Sequence, residues 1–230
     1  MSPSSKSPAD WLKWLVFEVG AGYYARKLAT GPEADLRSEF IDFLACAPGE
    51  RVLDVGCGPG HMARQLAQRA CRVTGVDRGW RLLQIARHWA AKEGVAVEFR
   101  RAPGEQLPFA NGSFDCTFAT TVLYWVERPE AVLREMARVT RLGGSVATLD
   151  PHASMSVASM REFCSAQNLD SQGTRKLLAW ARAAELSRRF TEEDLRRLLA
   201  SAGLASLQLN RRLGGLVWFA RGAVTAKAAG

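Results

Sequence analysis

Hydrophobic residues along this chain follow two alternating patterns, which predict strands and helices in turn. Short apolar runs predict buried strands, and longer stretches with apolar residues every three or four positions predict helices. Between residues 51 and 150 the predicted strands are 51–56, 71–77, 97–102, 113–122 and 145–150, and the predicted helices are 61–70, 81–94 and 129–140. Strands that alternate with helices of this length pair in parallel through crossover connections, so the pattern predicts an α/β fold.

The pattern changes after Asp150. Residues 151–190 are helical in period and contain no predicted strand, so we interpret them as a helical insertion. A helix over 191–203 follows, with Thr191 as N-cap and Gly203 as its end. Two last strands, 204–212 and 215–222, predict an antiparallel pair at one edge of the sheet. The whole pattern predicts a Rossmann-like, doubly wound and mostly parallel sheet of seven strands.

The segments outside this pattern complete the predicted organisation. Residues 10–29 predict one or two amphipathic helices, residues 32–45 predict another, and Gly143-Gly144 predicts a turn into the fifth strand. We assign residues 1–44 to an N-terminal tail and lid helices, 45–222 to the sheet domain, and 223–230 to a flexible tail.

Composition narrows the class of protein. The chain has 230 residues, of which 47% are hydrophobic and 23% charged, as expected for one globular domain. The net charge of +8 comes from arginines spread along the chain, which favours a solvated surface over a nucleic-acid interface. The first apolar stretch is interrupted by Lys13 and Glu18, so we expect no secretion signal. Five cysteines without a C-x-x-C pair predict a reduced, cytoplasmic setting.

A glycine-rich turn is the strongest candidate site. The first predicted strand runs through Asp54 into Gly56-Cys57-Gly58-Pro59-Gly60, and a helix follows. Glycines let the backbone approach a ligand closely, and the helix presents unpaired N–H groups to it. Asp77 ends the next strand, where its carboxylate can accept from both hydroxyls of a ribose. The two features together predict a nucleoside site and not only a tight turn.

Four segments, in this order, resemble a known family. VLDVGCGPG (52–60), GVD (75–77), LPFANGSFD (107–115) and VLREMARVTRLGG (132–144) closely resemble the class I S-adenosylmethionine-dependent methyltransferases. Within that family the chain looks most like the ubiquinone/menaquinone-biosynthesis-type group of small-molecule methyltransferases. The resemblance covers residues 45–150 well and residues 190–222 by architecture only. In a dinucleotide-binding dehydrogenase the third glycine would stand one residue after Gly60.

The resemblance implies S-adenosylmethionine as methyl donor, S-adenosylhomocysteine as product, and no metal. It places the methionine portion along the glycine loop, the ribose on Asp77, and the cofactor ammonium near the Thr120 carbonyl. Asp54 would orient the glycine loop or reach the ammonium through a water. Pro103 stands where the family commonly has an aspartate for the adenine amino group, so adenine recognition is expected to be weaker or differently built, with Glu105 as a candidate. The residues implied near the cofactor are Tyr23, Tyr24, Asp54, Gly56, Cys57, Gly58, Asp77, Arg78, Leu82, Gly104, Glu105 and Thr120.

The acceptor side offers fewer candidates. Methyl transfer from a sulfonium mainly requires a positioned acceptor and exclusion of water. His152, after the fifth strand, is a candidate general base, and the alternative is a loop histidine without a catalytic role. Tyr124 and Trp125, after the fourth strand, are a candidate acceptor wall, and core packing is the alternative. The insertion 151–190 is the expected acceptor cap, and its methionines and aromatic residues favour a small apolar or aromatic acceptor.

Three other functions remain open at this point. One is a membrane-associated quinone or lipid methyltransferase that uses the helix of Trp11 and Trp14 as an interfacial anchor, although a membrane surface is the less favoured partner. The second is an RNA methyltransferase. The third is a non-catalytic cofactor-binding or scaffold protein of the same fold, for which Pro103 is the main argument. Residues 119–125 lack the Asn/Asp-Pro-Pro-Tyr/Phe element of nucleic-acid amino methyltransferases, so we expect no DNA substrate. The chain is expected to be a monomer or a homodimer.

Overall fold

The structure is a computed structural model that describes residues 32–226. The helices predicted over 10–29, with Trp11, Trp14, Tyr23 and Tyr24, lie outside this range. The strands are β1 (Arg51–Val55), β2 (Arg72–Asp77), β3 (Val97–Arg101), β4 (Phe114–Thr120), β5 (Thr140–Pro151), β6 (Leu204–Arg212) and β7 (Val217–Val224). The helices are α1 (Pro32–Leu44), α2 (His61–Gln68), α3 (Trp80–Lys92), α4 (Pro129–Val139), α5 (Val157–Ala166), α6 (Ser171–Glu185) and α7 (Glu192–Ser201).

The strands form one twisted sheet whose order along the described chain is β3-β2-β1-β4-β5-β7-β6. The four pairings from β3 to β5 are parallel, and β7 pairs antiparallel with both β5 and β6. The predicted Rossmann-like sheet with an antiparallel edge is therefore confirmed. The chain order reverses between β1 and β4, and open α/β sheets bind ligands in the crevice at the carboxyl ends of such strands.

Helices cover both faces of the sheet. On one face α1, α2 and α3 pack together with apolar side chains of the insertion helices α5 and α6. On the other face α4 and α7 pack. Phe40 of α1 lies edge-on to Phe219 at 4.9 Å between ring centroids and contacts Phe118 at 6.2 Å. Helix α1 therefore lies within the core, and the boundary predicted after residue 44 does not separate it from the sheet.

Two strand boundaries differ from the sequence-based expectation. The turn predicted at Gly143-Gly144 is wrong, because β5 begins at Thr140 and continues through both glycines. Thr140 pairs with Phe114, and the register then shifts, so the glycines form an irregularity inside the strand. β7 continues to Val224, which is buried and pairs with Leu204, so the flexible tail predicted from residue 223 cannot begin there.

The insertion between β5 and α7 consists of α5 and α6, as its helical period predicts. Its two ends meet, because His152 and Phe190 form an isolated parallel bridge. Thr191 caps α7 as predicted, and its side chain accepts from the backbone N–H of Asp194. Within residues 32–226, no helix is long and apolar enough to span a membrane.

Candidate functional site

The glycine loop connects β1 to α2 at the carboxyl edge of the sheet. The backbone N–H groups of Gly56 and Cys57 both donate to the Val76 carbonyl, at 2.8 and 2.9 Å, which holds the loop against β2. Gly58 has φ +52°, and a Cβ added there would meet no atom of residues 32–226 within 4 Å. A left-handed residue with no described side chain over it is where a ligand can lie directly against the backbone.

Asp77 ties the loop after β1 to the loop after β2. Its Oδ2 accepts from the Gly58 N–H at 2.8 Å, and its Oδ1 accepts from the Gly79 N–H at 2.7 Å. Because a carboxylate oxygen can accept more than one hydrogen bond, the same group retains capacity for the hydroxyls of a ribose. The structure thus places Asp77, which is predicted to bind the ribose, directly against the glycine loop.

Asp54 is buried inside β1, with 1% of its surface exposed. Burial raises its pKa well above the ordinary range, and the neighbouring charge of Asp77 adds to this, while a hydrogen bond from the Ala63 backbone opposes it. Its Oδ1 has no hydrogen-bond partner within the described chain. A buried carboxylate oxygen without a partner is costly, and an ammonium group or a bridging water would satisfy it. This orphaned oxygen fits the ammonium group that the resemblance implies.

The remaining implied cofactor residues serve partly in packing. The Cys57 side chain is buried and its Sγ donates to the Gly58 carbonyl at 3.8 Å, so only the backbone of Cys57 can contact a ligand at the loop. Leu82 is 1% exposed and belongs to the hydrophobic interior. Glu105 forms an ion pair with Arg78 at 2.7 Å. An adenine amino group would therefore have to share the Glu105 carboxylate with that arginine.

The end of β4 carries a strained residue that the sequence did not reveal. Thr121 has φ +56°, a conformation that is rare for a β-branched residue. Its backbone N–H donates to the Leu149 carbonyl at 2.7 Å, and its hydroxyl donates to the Thr120 carbonyl at 2.6 Å. Strain of this kind is often found at functional sites. The Thr120 carbonyl, implied as a partner of the cofactor ammonium, is thus held in place by its neighbour.

A buried carboxyl group, Asp150, lies at the end of β5 and was also missed. Its Oδ1 accepts from the Tyr124 N–H at 3.2 Å, and its Oδ2 accepts a short hydrogen bond from the Thr148 hydroxyl. Complete burial raises the pKa of Asp150 to about 7, although hydrogen bonds from Thr148, Tyr124 and Leu123 oppose that rise. The available signal was an acidic residue at the end of an apolar strand. Asp150 anchors the segment after β4 that contains the candidate acceptor wall.

The two residues of that wall have different surroundings. Tyr124 is 6% exposed and packs in the core beneath α4, whereas Trp125 is partly buried beside it, with 5.0 Å between the ring centroids. The Tyr124 carbonyl accepts from the Arg188 N–H at 3.3 Å, which ties the end of the insertion to this segment. The burial of Tyr124 supports a packing role for this residue, and Trp125 remains the candidate for the acceptor wall.

His152 lies just past the end of β5 and is half-buried against Trp218, with 5.1 Å between ring centroids. Its Nδ1 accepts from the Ser154 N–H at 2.9 Å and lies 2.6 Å from the Ser154 hydroxyl. A backbone N–H can only donate, so the neutral ring carries its proton on Nε2. Burial lowers the pKa of His152, and the charge of Arg211 lowers it further. In this tautomer Nε2 is a hydrogen-bond donor and not a base.

Metal-binding side chains do not gather at this edge. Across the part of the chain that the structure describes, no three His, Cys, Asp or Glu residues form a cluster that could hold a metal ion.

Comparison with known proteins agrees with this geometry. Residues 53–148 match a family model described as a methyltransferase domain. A ubiquinone biosynthesis O-methyltransferase of Hahella chejuensis is 40% identical over 112 residues, which are 48% of this chain and 47% of that protein. The enzyme of the same name from Chromobacterium violaceum is 32% identical over 156 residues, 66% of this chain and 67% of that protein. The chain thus spans about half the length of the first curated relatives it matches.

A solved structure shares this fold. Phosphoethanolamine N-methyltransferase 2 of Haemonchus contortus, in complex with S-adenosyl-L-methionine, superposes with a TM-score of 0.73 at 15% identity. The superposition covers 98% of this chain and 61% of that one.

Proposed function

This chain belongs to the class I S-adenosylmethionine-dependent methyltransferases of the ubiquinone-biosynthesis type, and from that premise we propose that it methylates an oxygen atom of a small apolar or aromatic acceptor. The relatives named above are O-methyltransferases, which supports oxygen as the atom that receives the methyl group. The partly buried Trp125 and the apolar residues of the insertion support an acceptor with an apolar or aromatic body.

The observation that carries the proposal is the clamp between Asp77 and the glycine loop. Asp77 holds the Gly58 N–H, and no atom of residues 32–226 occupies the space over Gly58, so a ribose and a methionine chain can lie against the same loop. Asp54, whose Oδ1 has no partner among these residues, would receive the ammonium group directly or through a water. Thr120 would add its carbonyl from the end of β4.

S-adenosylmethionine, when bound, supplies a methyl group on a positively charged sulfur. The protein then has to position the acceptor oxygen in line with that methyl group and exclude water. Trp125 would form one wall, and α5 and α6 would cover the acceptor. His152 would orient the acceptor through its Nε2–H, because Nδ1 is engaged by Ser154. A general-base role for His152 would require the other tautomer and the loss of that hydrogen bond.

The test is calorimetric titration with S-adenosylhomocysteine of wild type, Gly58→Ala and Gly94→Ala. Both glycines have positive φ, at +52° and +67°, and a Cβ at either one meets no described atom within 4 Å. Both substitutions therefore cost similar backbone strain, of order 1–2 kcal/mol. Only the methyl group at position 58 would enter the proposed site, since Gly94 lies between α3 and β3.

We expect micromolar binding by wild type and by Gly94→Ala, and binding at least about tenfold weaker by Gly58→Ala, equivalent to about 1.4 kcal/mol. Equal affinities for the two variants would mean that the ligand does not contact Gly58, and the proposed site would be wrong. Turnover is then measured as S-adenosylhomocysteine release with catechol and with aniline. Methylation of aniline in preference to catechol would contradict the assignment to oxygen.

A further inference from the structure

The turn between β6 and β7, residues 213–216, lies beside His152. β7 runs antiparallel to β5, and Val217 at its start pairs with Pro151 at the end of β5. The His152 N–H donates to the Leu216 carbonyl at 2.9 Å. The turn therefore lies at the same edge of the sheet as the ends of β4 and β5, where the proposed acceptor site is located.

Two hydrogen-bond donors meet at this turn. His152 presents Nε2–H, since its Nδ1 is taken by Ser154, and Nε2 has no acceptor among residues 32–226. The Arg211 guanidinium lies over the ring of Trp218, with 6.0 Å from Cζ to the centroid, and His152 contacts the same ring. Trp218 is buried and its Nε1 donates to the Phe190 carbonyl at 2.9 Å, so it is a fixed support for both groups.

The guanidinium of Arg211 is held in place but its charge is not neutralised. Its Nε and Nη2 donate to the Gly215 carbonyl at 2.9 and 2.7 Å, which leaves the Nη1 hydrogens for another acceptor. Within the described residues no carboxylate forms an ion pair with Arg211, whereas its neighbour Arg212 pairs with Glu39 at 3.4 Å.

From this cluster we infer that the acceptor carries a carboxylate, which binds to Arg211 and to the Nε2–H of His152. The inference rests on the proposed function, because it takes this edge as the acceptor site. A carboxylate supplies two acceptor oxygens, one for a guanidinium N–H and one for an imidazole N–H. Trp218 and Phe163, whose ring packs against Gly214, supply apolar surface beside the charge. The acceptor class is therefore an aromatic acid with a hydroxyl group.

The probes are benzoate and its neutral analogue benzamide, added to the protein saturated with S-adenosylhomocysteine. The readout is the titration of His152 by NMR, with His61 and His88 as internal references. The charge of Arg211 disfavours the imidazolium, and a bound carboxylate would favour it. We expect benzoate to raise the pKa of His152 by about 1 and benzamide to leave it unchanged.

Arg211→Gln and Arg212→Gln form a matched pair on adjacent positions of β6. Arg211→Gln should raise the pKa of His152 in the absence of benzoate, and should weaken benzoate binding by about tenfold, since it removes a charged hydrogen bond. Arg212→Gln should change neither quantity. An unchanged His152 titration on addition of benzoate, or equal effects of the two variants, would overturn the inference.

The outcome separates this inference from the proposed function. Binding of S-adenosylhomocysteine without a response to benzoate refutes only the carboxylate-binding acceptor. If S-adenosylhomocysteine does not bind, the proposed function fails, and the benzoate titration of the protein alone still tests whether Arg211 and His152 bind a carboxylate.

Discussion

Replacement of Asp150 by asparagine is expected to stabilise this protein at neutral and alkaline pH. Asp150 is completely buried, and its pKa rises from the ordinary value of 3.8 to about 7. Asparagine has the same shape without the charge. Its Oδ1 can accept from the Tyr124 N–H, and its Nδ2 can donate to the Thr148 hydroxyl, so two of the three hydrogen bonds of the carboxyl group can be kept.

The magnitude follows from the difference in pKa between the folded and unfolded states. The folded protein binds the Asp150 proton more tightly than the unfolded chain, so the free energy of unfolding of wild type falls as the pH rises from about 4 to about 7. A difference of about 3 in pKa corresponds to about 4 kcal/mol, which is an upper limit for the gain from Asp150→Asn. Imperfect hydrogen bonds of the amide offset part of it, so we expect about 1–3 kcal/mol above pH 7.

The assay is thermal unfolding of both proteins at constant ionic strength between pH 5 and pH 8. For a domain of this size each kcal/mol corresponds to about 2–4 °C in Tm. The advantage of Asp150→Asn should be largest at pH 8 and should shrink steadily as the pH falls toward 5. A variant that is destabilised by the same amount at every pH would show that the buried charge of Asp150 does not lower the stability of wild type.

Asp115→Asn is a control that should change the stability at pH 8 in the opposite direction. Hydrogen bonds from Arg51, and from Arg141, hold the pKa of Asp115 below its ordinary range. The stability that Asp115 contributes is therefore present above about pH 4 and is lost as the pH falls further. Asp115→Asn should lower Tm at pH 8 and should approach wild type in acid. If both variants changed Tm in the same direction, burial of Asp150 would not be the dominant cause.

Three further predictions concern the core, a helix cap and the cofactor. Phe40→Ala should lower the free energy of unfolding by about 3–5 kcal/mol, because the buried ring packs against Phe118 of β4 and Phe219 of β7. A urea midpoint near that of wild type would contradict this. Thr191→Ala should cost about 1 kcal/mol in the same assay, through loss of the hydrogen bond from Asp194 N–H, and an unchanged midpoint would show that the cap contributes nothing. Asp54→Asn should weaken S-adenosylhomocysteine binding by about tenfold in calorimetry, since a neutral amide attracts an ammonium less; undiminished affinity would exclude Asp54 from the site.

Local patterns predicted most elements of this fold. The patterns involve only neighbouring residues: apolar runs around Val52 and Phe118, and a helical period around Leu133. The structure has two strands and a helix at these positions. Gly143-Gly144 misled the prediction, because glycine pairs favour turns but are also tolerated where a strand changes register. Whether the glycine pair forms a turn or lies inside a strand depends on the partner strand, which the local sequence does not contain.

The candidate site likewise contains residues that local patterns predicted and residues that they did not. The glycine loop and Asp77 could be predicted, because their spacing follows from one strand–turn–helix unit and the strand after it, and the structure joins them by a hydrogen bond. Asp150 could not, because its raised pKa comes from burial beneath a segment that is distant along the chain. The tautomer of His152 likewise depends on a hydrogen bond from Ser154 that no periodicity indicates.

The periods of strand and helix, the glycine turn and the order of the motifs can be read from the chain alone, because each depends on residues close together in it. Three other features are properties of the folded protein: the Asp54 oxygen without a partner among residues 32–226, the strain at Thr121, and the position of Arg211 over the same ring as His152. They arise from desolvation and from contacts between distant segments, which exist only when the strands have paired and the helices have packed on the sheet.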